Sequence, residues 1–294
     1  MTAAGGRPHT IRAVPSLTPA RNAVEVLREI GKLVAAQRAQ EPAHSPAPPA
    51  SGLVLDIGAG HAPFARADIV VDKYPADDFE RETTLSFEKP LVVADGEAMP
   101  FADGTFAYVI ASHVIEHAID PLRFAAELSR IADAGFVQVP SRESELTFGW
   151  PFHPWLIDLE DGVLVFRPRG DQRAPIGQTF HESAAESYVF RLWMGAHRGR
   201  WYHSVHWKGS LPVRCEGSSR AERTASVDVE RTMAVLREAG ARGPSGEARR
   251  ALRCPADGGE LEERADHLHC RTCGRAYPFA GTVPVLLTEA AADR

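Results

Sequence analysis

The stretch Leu53-Val54-Leu55-Asp56-Ile57-Gly58-Ala59-Gly60, followed closely by Ile69-Val70-Val71-Asp72, constrains this chain more than any other. It reads as a strand, a glycine turn and a second strand that ends in an acid. Its unbroken apolar residues suit a parallel strand buried on both faces, and glycines let a backbone turn sharply and approach a ligand closely. In an open α/β sheet the ligand crevice lies outside the carboxyl ends of the strands. An acid at the tip of the second strand, Asp72, is placed there to accept both hydroxyls of a ribose.

The glycine pattern narrows the ligand class. A dinucleotide fingerprint G-x-G-x-x-G needs a third glycine for close helix packing, and Pro63 stands at that position, adding a ring and removing an N–H. Nicotinamide cofactors are disfavoured, and no Tyr-x-x-x-Lys pair argues for a reductase or epimerase. Asp56 instead gives D-x-G-x-G, which resembles motif I of class I S-adenosylmethionine-dependent methyltransferases. The resemblance implies a Rossmann-like sheet with flanking helices, and a role for Asp56 in holding the methionine ammonium end through the loop or a water.

Composition sets limits on partners. At 294 residues there is room for one catalytic domain and a smaller unit, and a net charge of −6 argues against a broad nucleic-acid surface. Only four of the 33 basic residues are lysines (Lys32, Lys73, Lys89, Lys208), an arginine bias that reads as codon composition rather than an RNA-binding patch. No apolar run approaches the roughly 18 residues that span a bilayer, and the first ten residues lack a hydrophobic signal core. The expectation is a cytoplasmic protein without a membrane partner, whose four cysteines are thiols or metal ligands rather than disulfides.

Along the chain, residues 1–50 are expected to be a flexible start, then one amphipathic helix with Thr18 as N-cap and Val24, Leu27, Ile30 and Leu33 on one face, then a Pro-rich linker. That helix either packs on the sheet or closes over the ligand. The methyltransferase domain is read over 51–216. His61 to Asp68 leaves space for a turn or two of helix, and Pro75 to Pro90 reads as a loop and candidate lid. Leu91 to Ala94 and Phe106 to Ala111 are the third and fourth strands. A helix from Pro121 to Ala132 buries Leu122, Phe124, Ala125, Leu128 and Ile131, and Gly135 to Pro140 is the fifth strand.

The run from Ala94 to Pro121, A-D-G-E-A-M-P-F-A-D-G-T-F-A-Y-V-I-A-S-H-V-I-E-H-A-I-D-P, resembles methyltransferases of the ubiquinone-biosynthesis type, and Asp56 to Pro75 resembles a bacterial subset with a short crossover. The likeness covers about residues 53–170. It implies a cofactor site lined by Asp56, Gly58, Gly60, Asp72, Lys73, Asp95, Gly96, Ser112 and His113, with Asp95 toward the adenine amino group and Lys73 against the adenine face. Relatives often carry an acid where Gln138 stands.

His113 and His117 lie one helical turn apart with Glu116 between them, which suggests a metal pair only superficially because the H-E-x-x-H order is missing. His113, at the mouth of the fourth strand, is the better general base, since an imidazole titrates near working pH. His117 and His153 are the other catalytic candidates, and His153 and Trp155 are candidates for a substrate pocket. Glu143 and Glu145 read as loop residues at the ligand edge. The Asp161-Gly162 pair between apolar runs marks a hairpin. A helix from Ala184 to His197 and strands over Arg200 to Trp207 and Ser210 to Cys215 complete the sheet or roof the pocket.

A linker with a short helix capped by Ser226 is read over 217–250, and a small β-rich unit over 251–290. Cys254-Pro-Ala-Asp257 and Cys270-Arg-Thr-Cys273 resemble, with the strands after them, the zinc-ribbon-like activator subunit of transfer-RNA and release-factor methyltransferases. Only one C-x-x-C is complete, so Asp257 or His269 would supply a fourth ligand to zinc, or the unit holds no metal. The reading as a whole is transfer of a methyl group to an oxygen or nitrogen of a small molecule or peptide. A macromolecular acceptor, with the tail as built-in activator, and a non-catalytic binding module are the alternatives.

Overall fold

In the computed structural model, which describes residues 23–77, 83–218 and 227–293, strands β1 (Val54–Ile57), β2 (Ile69–Asp72), β3 (Leu91–Ala94), β4 (Tyr108–Ser112) and β5 (Ala134–Pro140) run parallel in the order β3-β2-β1-β4-β5. Every residue of β1, β2 and β3 is buried, which explains their continuous apolar runs. The strand order reverses at β1, so a crevice opens beyond its carboxyl end, between the turns that follow β1 and β4. The segment between β1 and β2 forms turns only, with no helix.

Helix α2 (Pro121–Ile131) starts where Asp120 accepts a hydrogen bond from the Arg123 amide at 3.0 Å, with Pro121 in the first turn. It buries Phe124, Ala125, Leu128 and Ile131 against the sheet, whereas Leu122 is 45% exposed and does not belong to the stripe expected for it. A Cβ on Gly96 would come within 2.0 Å of the Phe124 ring, so that glycine serves helix packing.

The segment after β5 departs from the sequence reading. Ser141 caps a helix, α3 (Arg142–Phe148), so Glu143 and Glu145 are helical rather than in a loop. The expected hairpin is present as β6 (Trp155–Glu160) and β7 (Val163–Pro168). Ser187 divides the single expected helix into α4 (Gly177–Glu186) and α5 (Tyr188–Ala196), which a short α6 (Arg198–Trp201) follows. β8 (Tyr202–Lys208) closes the main sheet antiparallel to β5, while β9 (Val213–Cys215) pairs with β7 in a separate three-stranded sheet.

Helix α1 (Ala23–Gln40) packs mainly on α5 and α6. The Gln40 side-chain amide donates to the Ala196 carbonyl, and His44 Nδ1 lies 2.8 Å from Ser204 Oγ on β8. Thr18 and Ser226, expected as caps, lie outside the described residues. Asp228 caps α7 (Val229–Glu238) instead.

After α8 (Gly246–Arg250) come β10 (Leu261–Glu263), β11 (His267–Cys270), β12 (Arg275–Ala280), β13 (Val283–Leu286) and β14 (Ala292–Asp293). β13 pairs in parallel with β3, so one sheet runs from the C-terminal hairpins through to β8. All four residues of β13 are buried, and the Leu91 amide donates to the Arg242 carbonyl at 2.8 Å. Leu286 packs among the core residues of the central strands. Leu286→Ala is therefore expected to cost about 2–5 kcal/mol and to lower a single cooperative transition in urea. Two separate transitions would show that the hairpins fold apart from the sheet.

Candidate active site

The glycine bend is fastened directly to the neighbouring strand, because the Gly58 amide donates to the Val71 carbonyl at 2.8 Å. Gly58 (φ 61°) and Gly60 (φ 57°) both take left-handed conformations that side chains disfavour. A Cβ on Gly58 would lie 2.8 Å from Val114 Cγ2, while one on Gly60 would meet nothing within 4 Å. The bend is thus held on one side and open on the other.

Asp56 and Asp72 brace it. Asp56 is buried and accepts from the Phe64 amide at 2.8 Å, which ties the far end of the turn back to β1. Burial pushes its carboxyl up to about 7, the Phe64 hydrogen bond and Lys89 opposing that rise only in part. Asp72, also buried, sits at the tip of β2 and accepts from the Tyr74 amide at 2.8 Å. Lys73 and Asp95 form an ion pair at 2.6 Å, and Asp95 also accepts from the Glu97 amide at 2.9 Å. Burial works against the Lys73 ammonium, yet Asp95 outweighs it and holds the group above its ordinary range. Both residues sent by the sequence to the adenine are therefore engaged with each other. Ser112 ends β4 opposite Gln138, half-buried at the same sheet edge.

His113 follows with a left-handed φ of 56°, which turns its ring out of the strand. Its Nε2 lies 3.2 Å from Gln138 Oε1, and the ring meets Tyr202 edge-on with centroids 5.1 Å apart. Its side chain remains 42% exposed. Behind it lies a buried ionisable cluster that the sequence reading did not assemble. His153 Nδ1 is 2.5 Å from Glu145 Oε1, and Arg169 reaches Glu145 Oε2 at 3.2 Å. Burial pushes Glu145 up to about 8, helped by Glu116, and holds His153 down to about 3. The His117 ring stacks on Phe152 and stands edge-on to His153, the latter pair with centroids 4.5 Å apart. Ser141 after Pro140 was the sequence signal for the helix that carries Glu145 inward. Trp155, expected near the substrate, is instead core: it is 1% exposed and its indole donates to the Ala118 carbonyl at 2.7 Å.

At the C-terminal knuckle, Cys254, Asp257, Cys270 and Cys273 each present a ligand atom within 4.8 Å of the others. Cys254 and Cys273 sulfurs are 3.7 Å apart, and Asp257 Oδ1 is 3.4 Å from Cys270 Sγ. Around tetrahedral zinc, with Zn–S near 2.3 Å, sulfurs stand roughly 3.8 Å apart. A Cβ on Gly259 would come within 3.0 Å of both Asp257 Oδ1 and Cys270 Sγ, so the cluster needs glycine beside it. The donor set fits zinc. His269 is outside this set.

Because the folded pKa of Asp56 exceeds that of the unfolded chain, its ionisation costs stability as pH rises from about 4 to about 7, and the cost is level above that. Asp56→Asn keeps an acceptor for the Phe64 amide. It is expected to raise stability over wild type by up to about 1.4 kcal/mol per pH unit across that window, measured by chemical denaturation from pH 4 to 8. A difference independent of pH would show that Asp56 is not a buried charge.

Comparison with known proteins bears on residues 55–136, which match the family described as a methyltransferase domain. No curated protein matches the chain at a significant level. Among solved structures, an S-adenosylmethionine-dependent methyltransferase from Thermotoga maritima, described as a possible histamine N-methyltransferase, is 15% identical over 57% of this chain and 70% of its own, with a TM-score of 0.26. The YcgJ protein of Bacillus subtilis is 20% identical over 38% of this chain and 51% of its own, with a TM-score of 0.25, so the chain spans about half its length. A chain from the complex of the Haloferax volcanii Trm112 methyltransferase activator is 15% identical over 63% of this chain and 91% of its own, with a TM-score of 0.33. Among the described residues no helix is long and apolar enough to cross a membrane. The glycine bend, the acid at the tip of β2 and the motif after β4 all lie inside residues 55–136, the span that matches the methyltransferase-domain family.

Proposed function

We propose that this chain transfers a methyl group from S-adenosylmethionine to an oxygen or nitrogen of a small-molecule or peptide acceptor. The observation that carries the reading is the buried Asp72 at the tip of β2, beside a left-handed glycine bend whose Gly60 side is open. Asp72 would grip the ribose, Gly58 and Gly60 would let the backbone approach the ligand, and Asp56 would keep the bend in shape and favour a cationic methionine end. Ser112 and His113 would line the same edge. Lys73 and Asp95, already paired, would present one combined polar face to the adenine beside Gly96.

The bound sulfonium supplies both the methyl group and its own leaving group, so the protein's task is alignment and, for a protonated acceptor, removal of a proton. His113 is suited to that: half-exposed, at the carboxyl end of β4, and oriented through Nε2 by Gln138. His117 and His153 lie deeper and would shape its surroundings. Residues 251–290 would be a tail unit whose knuckle holds zinc through Cys254, Asp257, Cys270 and Cys273. A macromolecular acceptor, with this unit presenting it, gains support from the parallel pairing of β13 with β3, which joins the hairpins to the sheet that carries the glycine bend.

In calorimetry, wild-type protein is expected to bind S-adenosylmethionine and S-adenosylhomocysteine but not NAD. Asp72→Ala should weaken both by at least about tenfold, about 1.4 kcal/mol. Unchanged affinity would remove the ribose site. His113→Ala is expected to lower kcat by about 10²-fold while altering cofactor affinity little; equal losses in both would make His113 a structural residue.

A further inference from the structure

Glu116 is a buried carboxylate in the turn after β4. It is 0% exposed, and neither carboxylate oxygen has a hydrogen-bond partner. His113 Nδ1 stands 3.4 Å from Oε1, an ion-pair distance without hydrogen-bond geometry. Burying a carboxylate in this state is costly unless a cation meets it. The side chains around it are the ones a cation would need: Glu116, His117 and His153 each offer a ligand atom, and these atoms lie within 4.8 Å of one another.

The surroundings are arranged as they are behind metal-binding histidines. His153 has Nδ1 directed at Glu145 at 2.5 Å, which leaves Nε2 as the ligating nitrogen. Glu145 is in turn held by Arg169, itself buried and hydrogen-bonded to the Trp150 and Gln172 carbonyls. A carboxylate behind the distal nitrogen fixes ring orientation and tautomer and raises ligand basicity. Phe152 stacks on His117 and restricts that ring as well. Two histidines and one carboxylate form a donor set for zinc, iron(II) or cobalt(II), and three donors leave part of such an ion's coordination shell unfilled. At metal–ligand distances near 2.0–2.2 Å the donors would stand roughly 3.3 Å apart, so each pair has to close by at most about 1.5 Å.

We propose that Glu116, His117 and His153 form a binding site for a divalent first-row transition-metal ion, oriented by Glu145 and distinct from the cysteine knuckle. Glu116 and His117 lie in the turn after β4 and His153 in the segment before β6. The ion therefore joins the methyltransferase edge to the roof built from α3, β6 and β7, independently of whether methyl transfer is the protein's activity.

Cobalt(II) added to metal-free full-length protein tests this directly, because the two sites differ in colour. The knuckle would give sulfur-to-cobalt charge-transfer absorption, whereas a histidine–carboxylate site gives ligand-field bands alone. The expected result is one equivalent of cobalt beyond any held by the knuckle, adding ligand-field bands but no sulfur band, and lost in His117→Ala and in His153→Ala while circular dichroism is unchanged. Glu145→Gln should weaken the same site about 10–100-fold. Wild-type protein that binds cobalt only with the sulfur band, or not at all, would overturn the proposal without reference to any variant's folding. A sulfur-free site that persists in both histidine variants would overturn it equally.

Discussion

The hydrogen bond from the Gly58 amide to the Val71 carbonyl is the contact on which the ligand edge depends. It lets the backbone leave β1 sharply while remaining fixed to β2, so that Gly60 faces open space. Gly58 suits it best as glycine, since its left-handed angle is one that most side chains disfavour and a Cβ there would press on Val114. Asp56 then closes the far side of the turn through Phe64, and the charge this buries is accepted in return for a rigid loop. Geometry at the sheet edge is thus bought with local instability, a common arrangement at ligand sites.

The second layer of the site follows from where the chain goes after β5. Pro140 ends the strand, Ser141 caps α3, and one turn later Glu145 points inward at His153 and Arg169. The roof is therefore anchored to the sheet edge through charged groups rather than through apolar packing alone. Arg142 and Arg167 both reach Asp158 on β6, and burial of that carboxyl is outweighed by the two guanidinium groups, which hold it below its ordinary range. The electrostatic framework thus extends from the interior to the exposed face of the hairpin.

Much of the central sheet was legible because buried parallel strands leave continuous apolar runs and glycine turns are local. The Asp161-Gly162 hairpin and the α2 cap were legible for the same reason. Side-chain partners were not. Lys73 and Asp95 are 22 residues apart and meet only because β2 and β3 are neighbours. The Glu116, His117 and His153 cluster likewise needs the roof to fold back, which no spacing in the chain announces. The break at Ser187 was missed because the apolar pattern continues across it, although the serine side chain caps the second helix through the Phe190 amide. The zinc-ribbon resemblance drew attention to the cysteines, whereas β13 joining β3 depends on pairing between distant segments.

That last pairing has a consequence for the sheet as a surface. An uncovered β3 would present a row of unpaired N–H and C=O groups, the template on which other chains add strands. Here the covering strand is tethered in the same polypeptide, so its effective concentration is set by the connecting segment rather than by the abundance of a separate subunit. The edge is occupied at any dilution, and a foreign strand can dock there only by displacing one that never diffuses away.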